Sequence, residues 1–151
     1  MKIETNAAKV ATAIRRAGRV ASDGIRFDRI GIKANQFILD RTANGIGVDG
    51  SEFQEYSDSY KQYKAERLGV SPDVVDLYDS GNMMGSLVVE SDNVSATLFF
   101  ADRVNNDKAA THNEGLDGMP KREFFGLSND EQGFIAGMMR NDMSKFLNDI
   151  T

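Results

Sequence analysis

The sequence predicts an α+β fold: a small antiparallel sheet packed by helices, with a long C-terminal helix. Three observations carry that expectation. An apolar stripe at three- and four-residue steps runs through each of the first two helical segments. Two alternating apolar runs flank Ser91-Asp92-Asn93, the pattern of a hairpin. A capping box, Ser128 with Glu131 three residues on, opens a last run rich in Phe and Met. The 151 residues make one domain, 1–151. A chain of that length buries about 70% of its unfolded surface and needs no covalent staples.

Taken in order, residues 5–22 read as an amphipathic helix. Ala7, Val10, Ile14, Ala17 and Ala21 form its apolar stripe, and Lys9, Arg15, Arg16 and Arg19 lie off it. Asp23-Gly24 is a stop signal. A second helix is expected from Phe27 to Arg41, with a strand at Gln36–Leu39 as the alternative for that short apolar run. Residues 42–57, with three glycines, read as a loop. A short helix is expected from Asp58 to Leu68, ended by Gly69, followed by a turn at Ser71-Pro72. Gly81 to Leu87 reads as a helical turn handing over to a strand.

The hairpin strands are expected at Leu87–Glu90 and Val94–Ala101. In the second, Val94, Ala96, Leu98 and Phe100 face one way, and Ser95, Thr97 and Phe99 the other. Asn106–Asn113 reads as a short helix, and 115–127 as a loop with an extended piece at Arg122–Leu127. From Ser128, the residues Phe134, Ile135, Met138, Met139, Met143, Phe146, Leu147 and Ile150 give the last helix a wide apolar face.

Composition removes several chemistries. There is no cysteine, so there is no disulfide, zinc–thiolate, iron–sulfur or cysteine-nucleophile site. A single histidine excludes a multi-histidine metal site. No apolar run is long enough to span a membrane, and the N-terminus lacks the apolar core of a secretory signal. The expectation is a soluble protein made in a cytoplasm. The net charge of −5 is unevenly placed. Residues 1–41 hold nine bases and four acids, leaving nine bases against nineteen acids in the remainder. A basic end and an acidic remainder fit an acidic partner such as nucleic acid or a second copy, and equally a solvated helix face.

Four local patterns bear on chemistry. Gly45 to Gly50 matches G-x-G-x-x-G but lacks the preceding strand and following helix of a dinucleotide site, which favours a glycine-rich turn. Asp73, Asp76 and Asp79 would share a face only on a helix, and Pro72 and Gly81 oppose one there. His112, with Asn113, Glu114 and Asp117 nearby, is the candidate general base; the competing reading is a cap or a buried hydrogen-bonding group. Tyr56, Tyr60 and Tyr63 interleave with Lys61 and Lys64 as in some single-strand binders, yet the spacing also fits a helix whose tyrosines face a core.

Three longer segments carry more. The first is Asp40-Arg41-Thr42 with Gly47–Phe53, Tyr56-Ser57 and Tyr60. The second is Leu77-Tyr78-Asp79-Ser80-Gly81-Asn82-Met83-Met84-Gly85-Ser86-Leu87. The third is Ala110–Gly115, closed by Met119-Pro120-Lys121-Arg122-Glu123-Phe124-Phe125-Gly126-Leu127-Ser128. In this order they resemble the virion-morphogenesis, or tail-completion, proteins of tailed bacteriophages, over about residues 39 to 135. The resemblance implies a structural virion protein and not an enzyme, without cofactor or metal. It implies a ring at the head–tail junction that completes or terminates the tail and joins it to the DNA-filled head. Which ring of the neck this would be is left open.

The implied partners are further copies of the chain, in a hexamer or dodecamer, with connector or stopper and tail-tube proteins as neighbours. Genomic DNA would pass through without sequence-specific binding. The implied location is the virion, after synthesis in the bacterial host cytoplasm. The motif residues that the resemblance singles out are Asp79, Ser80, Gly81, His112, Gly115, Pro120, Arg122, Phe124, Phe125 and Gly126. Gly81 and Gly115 are expected to supply positive φ or close approach, Asp79 or Ser80 to cap a turn, and Pro120 to stiffen its loop. Phe124 and Phe125 are expected to anchor a core or dock on a neighbour. Arg15, Arg16 and Arg19 are the candidate subunit interface, facing an acidic surface of the next copy. The alternatives are another neck or capsid accessory protein, and a hydrolase or nuclease using His112.

Overall fold

The computed structural model describes residues 24–69 and 71–149. The expected helix at 5–22, and with it Arg15, Arg16 and Arg19, lies outside the described residues. The described chain is α+β. Helix α1 spans Phe27–Ala43 and a short α2 Asp58–Tyr63, continued by a π-helical turn over Lys64–Leu68. Helix α3 is Asn82–Gly85, strand β1 is Leu87–Ser91 and strand β2 is Ala96–Phe100. Helix α4 is Arg103–Glu114 and the long C-terminal α5 is Asn129–Asp149. The two strands form a two-stranded antiparallel sheet. None of the described helices is long and apolar enough to cross a membrane.

The chain divides into two compact units. Among the described residues, the first gathers 24–37, 88–99 and 126–149; the second gathers 38–87 and 100–125.

In the first unit, α1 lies on the sheet at a glycine. A Cβ on Gly31 would stand 2.5 Å from Val89 Cγ1 and 3.0 Å from the Ala96 side chain, so only glycine permits this approach in mid-helix. Phe27, Ile30 and Ala34 are buried along the same helix, as their spacing predicts. The hairpin turn is held by Asp92, whose Oδ1 accepts from the amides of Val94 at 2.8 Å and Ser95 at 2.7 Å. That turn shortens β2, which starts at Ala96 and not at Val94.

The capping box on α5 is formed. Glu131 accepts from Ser128 N at 2.6 Å, and Ser128 Oγ accepts from Glu131 N at 3.3 Å. Such a cap stabilises a helix by about 1 kcal/mol. Ile135 is buried on α5, and so is Asp142. Asp142 accepts from Arg26 N at 3.1 Å and pairs with Arg29 at 3.5 Å, which ties α5 to the start of α1. Phe134 meets Phe37 edge-on with centroids 5.4 Å apart, and the Lys33 ammonium lies over both rings.

In the second unit, two helices begin and end on signals in the sequence. Gly69, at φ 64°, ends the α2 turn. Gly115, at φ 69°, ends α4. Helix α4 starts three residues before its expected position, because Asp102 caps it by accepting from Asn105 N at 2.9 Å. The extended piece expected at Arg122–Leu127 forms no strand. Its amides go elsewhere: Arg122 N donates to His112 O at 2.7 Å, and Phe124 N and Phe125 N donate to a side chain.

Candidate functional site

The second unit brings most of the family-like residues together, and loops do most of the joining. Residues 44–53 double back through a bridge between Ile46 and Glu52. Gly45 and Gly50 take left-handed φ of 73° and 82° there, so the G-x-G-x-x-G segment is a tight turn that follows α1 and opens no helix. Val48 N donates to Glu123 O at 2.8 Å, linking this turn to the third motif. Arg41 adds a second link, donating to Phe124 O at 2.7 Å.

Arg122 makes the firmest join. Its side chain is 2% exposed, and it donates to Gln54 O at 2.9 and 3.0 Å and to Glu55 O at 3.2 Å. Its guanidinium also lies over the Tyr56 ring at 5.2 Å. Burial pulls the guanidinium below its usual value, while Tyr56 and Tyr60 act in the opposite sense.

Tyr56, Lys64 and Asp76 form a polar cluster against the second motif. Lys64 is fully buried, and its ammonium donates to Asp76 at 2.6 Å and to Tyr78 O at 3.1 Å, 5.0 Å from the Tyr56 ring centre. Tyr56 Oη donates to Asp76 at 3.3 Å and accepts from Leu77 N at 3.0 Å. Burial, reinforced by Asp76, raises the Tyr56 phenol far above its usual value, so it remains a neutral donor. Leu77 sits at φ 54°, a strained region for a branched residue. The hydrogen bond that its N–H donates to Tyr56 Oη, and the one that the next amide, Tyr78 N, donates to Asp76, hold it there.

The three aspartates considered as a metal set do not converge. Asp76 is engaged by Lys64, Asp79 accepts from Tyr63 Oη at 3.4 Å, and Asp73 meets Ser71 at 3.0 Å. Among the described residues no group of three His, Asp or Glu side chains is placed to hold a metal.

Ser80 Oγ accepts from Asn82 N at 3.4 Å, a weak contact at the start of α3, and Gly81 stands at φ 80° just before that helix. Gly115 combines both constraints on glycine. Its φ is left-handed, and a Cβ would lie 2.9 Å from Lys121 N and 3.0 Å from Lys121 Cα. Beyond it, Asp117 and Gly118 at φ 54° and 76° form a two-residue turn closed by Met119 N on Leu116 O. Pro120 follows that turn, half-buried, and Gly126 is buried. Phe124 and Phe125 are 0% and 5% exposed, with Phe100 at 6.2 and 5.4 Å. They fill the core of this unit.

Asn113, considered only as a neighbour of His112 and as part of the third segment, organises that segment. It is fully buried, and its Oδ1 accepts from Phe124 N at 3.1 Å and Phe125 N at 2.9 Å. Its Nδ2 donates to Glu114 at 2.9 Å. Glu114 and Asn113 are thus turned to each other and to the loop. His112 Nδ1 is buried with no hydrogen-bond partner among the described residues.

Burial, and then Arg122, holds the His112 imidazole below its usual value. A proton on His112 therefore favours the unfolded chain. The stability this contributes is full above the ordinary histidine value of 6.5 and is lost as pH falls from there toward the lowered folded value. His112→Gln is expected to flatten that part of a urea-midpoint profile taken between pH 7.5 and 5; a parallel profile would remove His112 as its source.

No protein-family model matches this chain, and no curated protein or solved structure does.

Proposed function

We propose that this chain is a structural protein of a tailed-bacteriophage virion, forming a ring at the head–tail junction. It completes or terminates the tail and joins it to the DNA-filled head. One observation supports the reading above others: the family-like residues spend their polar groups on one another's loops. Arg122 holds residues 54–55, Arg41 and Asn113 hold 124–125, and Tyr56 holds Leu77. Side chains committed in this way build a rigid shape, which a ring subunit needs.

In this reading the subunits meet head to tail, one surface against a different one, as a closed ring requires. Arg15, Arg16 and Arg19 meet an acidic surface of the next copy. The ring is a hexamer or dodecamer flanked by connector or stopper and tail-tube proteins, and DNA passes through without sequence-specific contacts. The protein works in the virion after synthesis in the host cytoplasm.

The test interrupts this gene in the phage that carries it and images the lysate by negative stain. Filled heads lying apart from tails are expected. Whole, infectious particles would overturn the joining role.

A further inference from the structure

We propose that the Asp117–Gly118 bond is a self-modification site, where the chain rearranges through a succinimide to isoaspartate. The proposal does not depend on the ring assignment.

The chemistry names the candidates. It needs an Asp or Asn side chain and a following peptide nitrogen free to reach it, and glycine hinders that approach least. The sequence holds three Asp–Gly bonds, at 23–24, 49–50 and 117–118, and one Asn–Gly bond at 44–45. Asp23 lies outside the described residues. At 117–118, Gly118 N bonds to Asp117 Cγ, and the carboxyl hydroxyl leaves with the amide proton as water. The five-membered ring then takes up water. Opening at Cγ restores aspartate. Opening at the main-chain carbonyl leaves the chain running through Cγ, one methylene longer, with a free α-carboxylate. Water is the only co-reactant.

The structure separates the three described bonds. At 44–45 both groups are tied: Asn44 Nδ2 donates to Asp40 O at 2.7 Å and Gly45 N to Thr42 O at 2.9 Å. At 49–50, Gly50 N donates to Gly47 O at 3.0 Å, and Asp49 Oδ1 accepts from Ser51 N at 3.0 Å and Ser51 Oγ at 2.6 Å. Those bonds from Ser51 hold the Asp49 carboxyl below its usual value, in the ionised form that has no hydroxyl to lose. At 117–118 neither group is tied. Among the described residues the Asp117 carboxylate has no hydrogen bond or ion pair, and Gly118 N has no acceptor. Both residues are exposed, and nothing stands within 4 Å of a Cβ placed on Gly118. Asp117 is also held at φ 54°, a conformation that costs any residue with a Cβ, and the added methylene removes that constraint.

The test puts one chemistry at two places in the full chain. Asp117→Asn gives 117–118 the same reactants as 44–45, with ammonia as the leaving group at both. Asn bears a left-handed φ as Asp does, and an unchanged circular dichroism spectrum checks the fold. The protein is kept in warm, near-neutral buffer, and deamidation is followed by peptide mass spectrometry. In the folded chain, position 117 is expected to react several-fold faster than Asn44, and in urea the two rates are expected to converge. A rate at 117 equal to or below that of Asn44 in the folded chain would overturn the proposal. So would an excess that persists unchanged in urea, since neighbouring side chains and not the fold would then set it. In the unaltered chain, isoaspartate is expected to accumulate several-fold faster at 117 than at 49, and an even distribution would count against the site just as firmly.

Discussion

Asn113→Ala is expected to destabilise the chain by about 3–5 kcal/mol, since each buried amide left without an acceptor costs roughly 1–3 kcal/mol. Two such amides depend on this side chain, those of Phe124 and Phe125. Neither has access to water as a substitute, because both residues are buried with Asn113 itself. The alanine also leaves a void where the fully buried side-chain amide stood, which adds to the loss. The comparison is Lys108→Ala, exposed on the same helix, where a change within about 0.5 kcal/mol is expected. Urea midpoints of the two variants make the measurement. An Asn113→Ala midpoint equal to that of Lys108→Ala would mean that the loop is held without this side chain.

Such a loss would bear on the proposed assembly. The segment from Arg122 to Phe125 closes the third motif, and Asn113 sets its path from the end of α4. A ring subunit with that loop released would lose shape before it lost its helices. Reduced assembly by a chain with near-native circular dichroism is the corresponding expectation.

What was legible in the sequence is what local rules govern. The capping box at Ser128, the glycine stops at Gly69 and Gly115, and the hairpin around Asp92 each depend on residues within a few positions of one another. Periodicity found α1 and α5 for the same reason, and the α+β class follows from the elements. The joins of the second unit were not legible. Arg122 reaches Gln54 across 68 positions and Arg41 reaches Phe124 across 83, in both cases through a backbone oxygen that any residue type supplies. No pattern of side chains announces such a bond. Lys64 and Asp142 were missed because charged residues are almost never buried without a partner, and each partner here is remote in sequence or sits in irregular chain. The width of the apolar face on α5 was legible, but how much of it is buried was not.

The second large effect lies at Lys64 and Asp76, and its asymmetry is the informative part. Asp76→Ala is expected to cost about 3–5 kcal/mol, because it leaves a buried ammonium without its counter-charge. Lys64 is 0% exposed, and with Asp76 gone its nearest acceptor is the Tyr78 carbonyl at 3.1 Å. Lys64→Met is expected to cost less, about 1.5–3 kcal/mol, the range of one hydrogen bond to a charged group. The carboxylate it leaves is 25% exposed and still accepts from Tyr78 N at 3.0 Å and Tyr56 Oη at 3.3 Å. With both changes together, the chain should be more stable than Asp76→Ala alone, since no buried charge then lacks a partner. Urea midpoints for the three variants complete a double-mutant cycle. Simple additivity would show that the ion pair contributes no coupling, and that Leu77 is held in its left-handed conformation by Tyr56 without help from the charges beside it. A strong coupling would place the start of the Leu77–Gly81 segment under the control of one buried lysine.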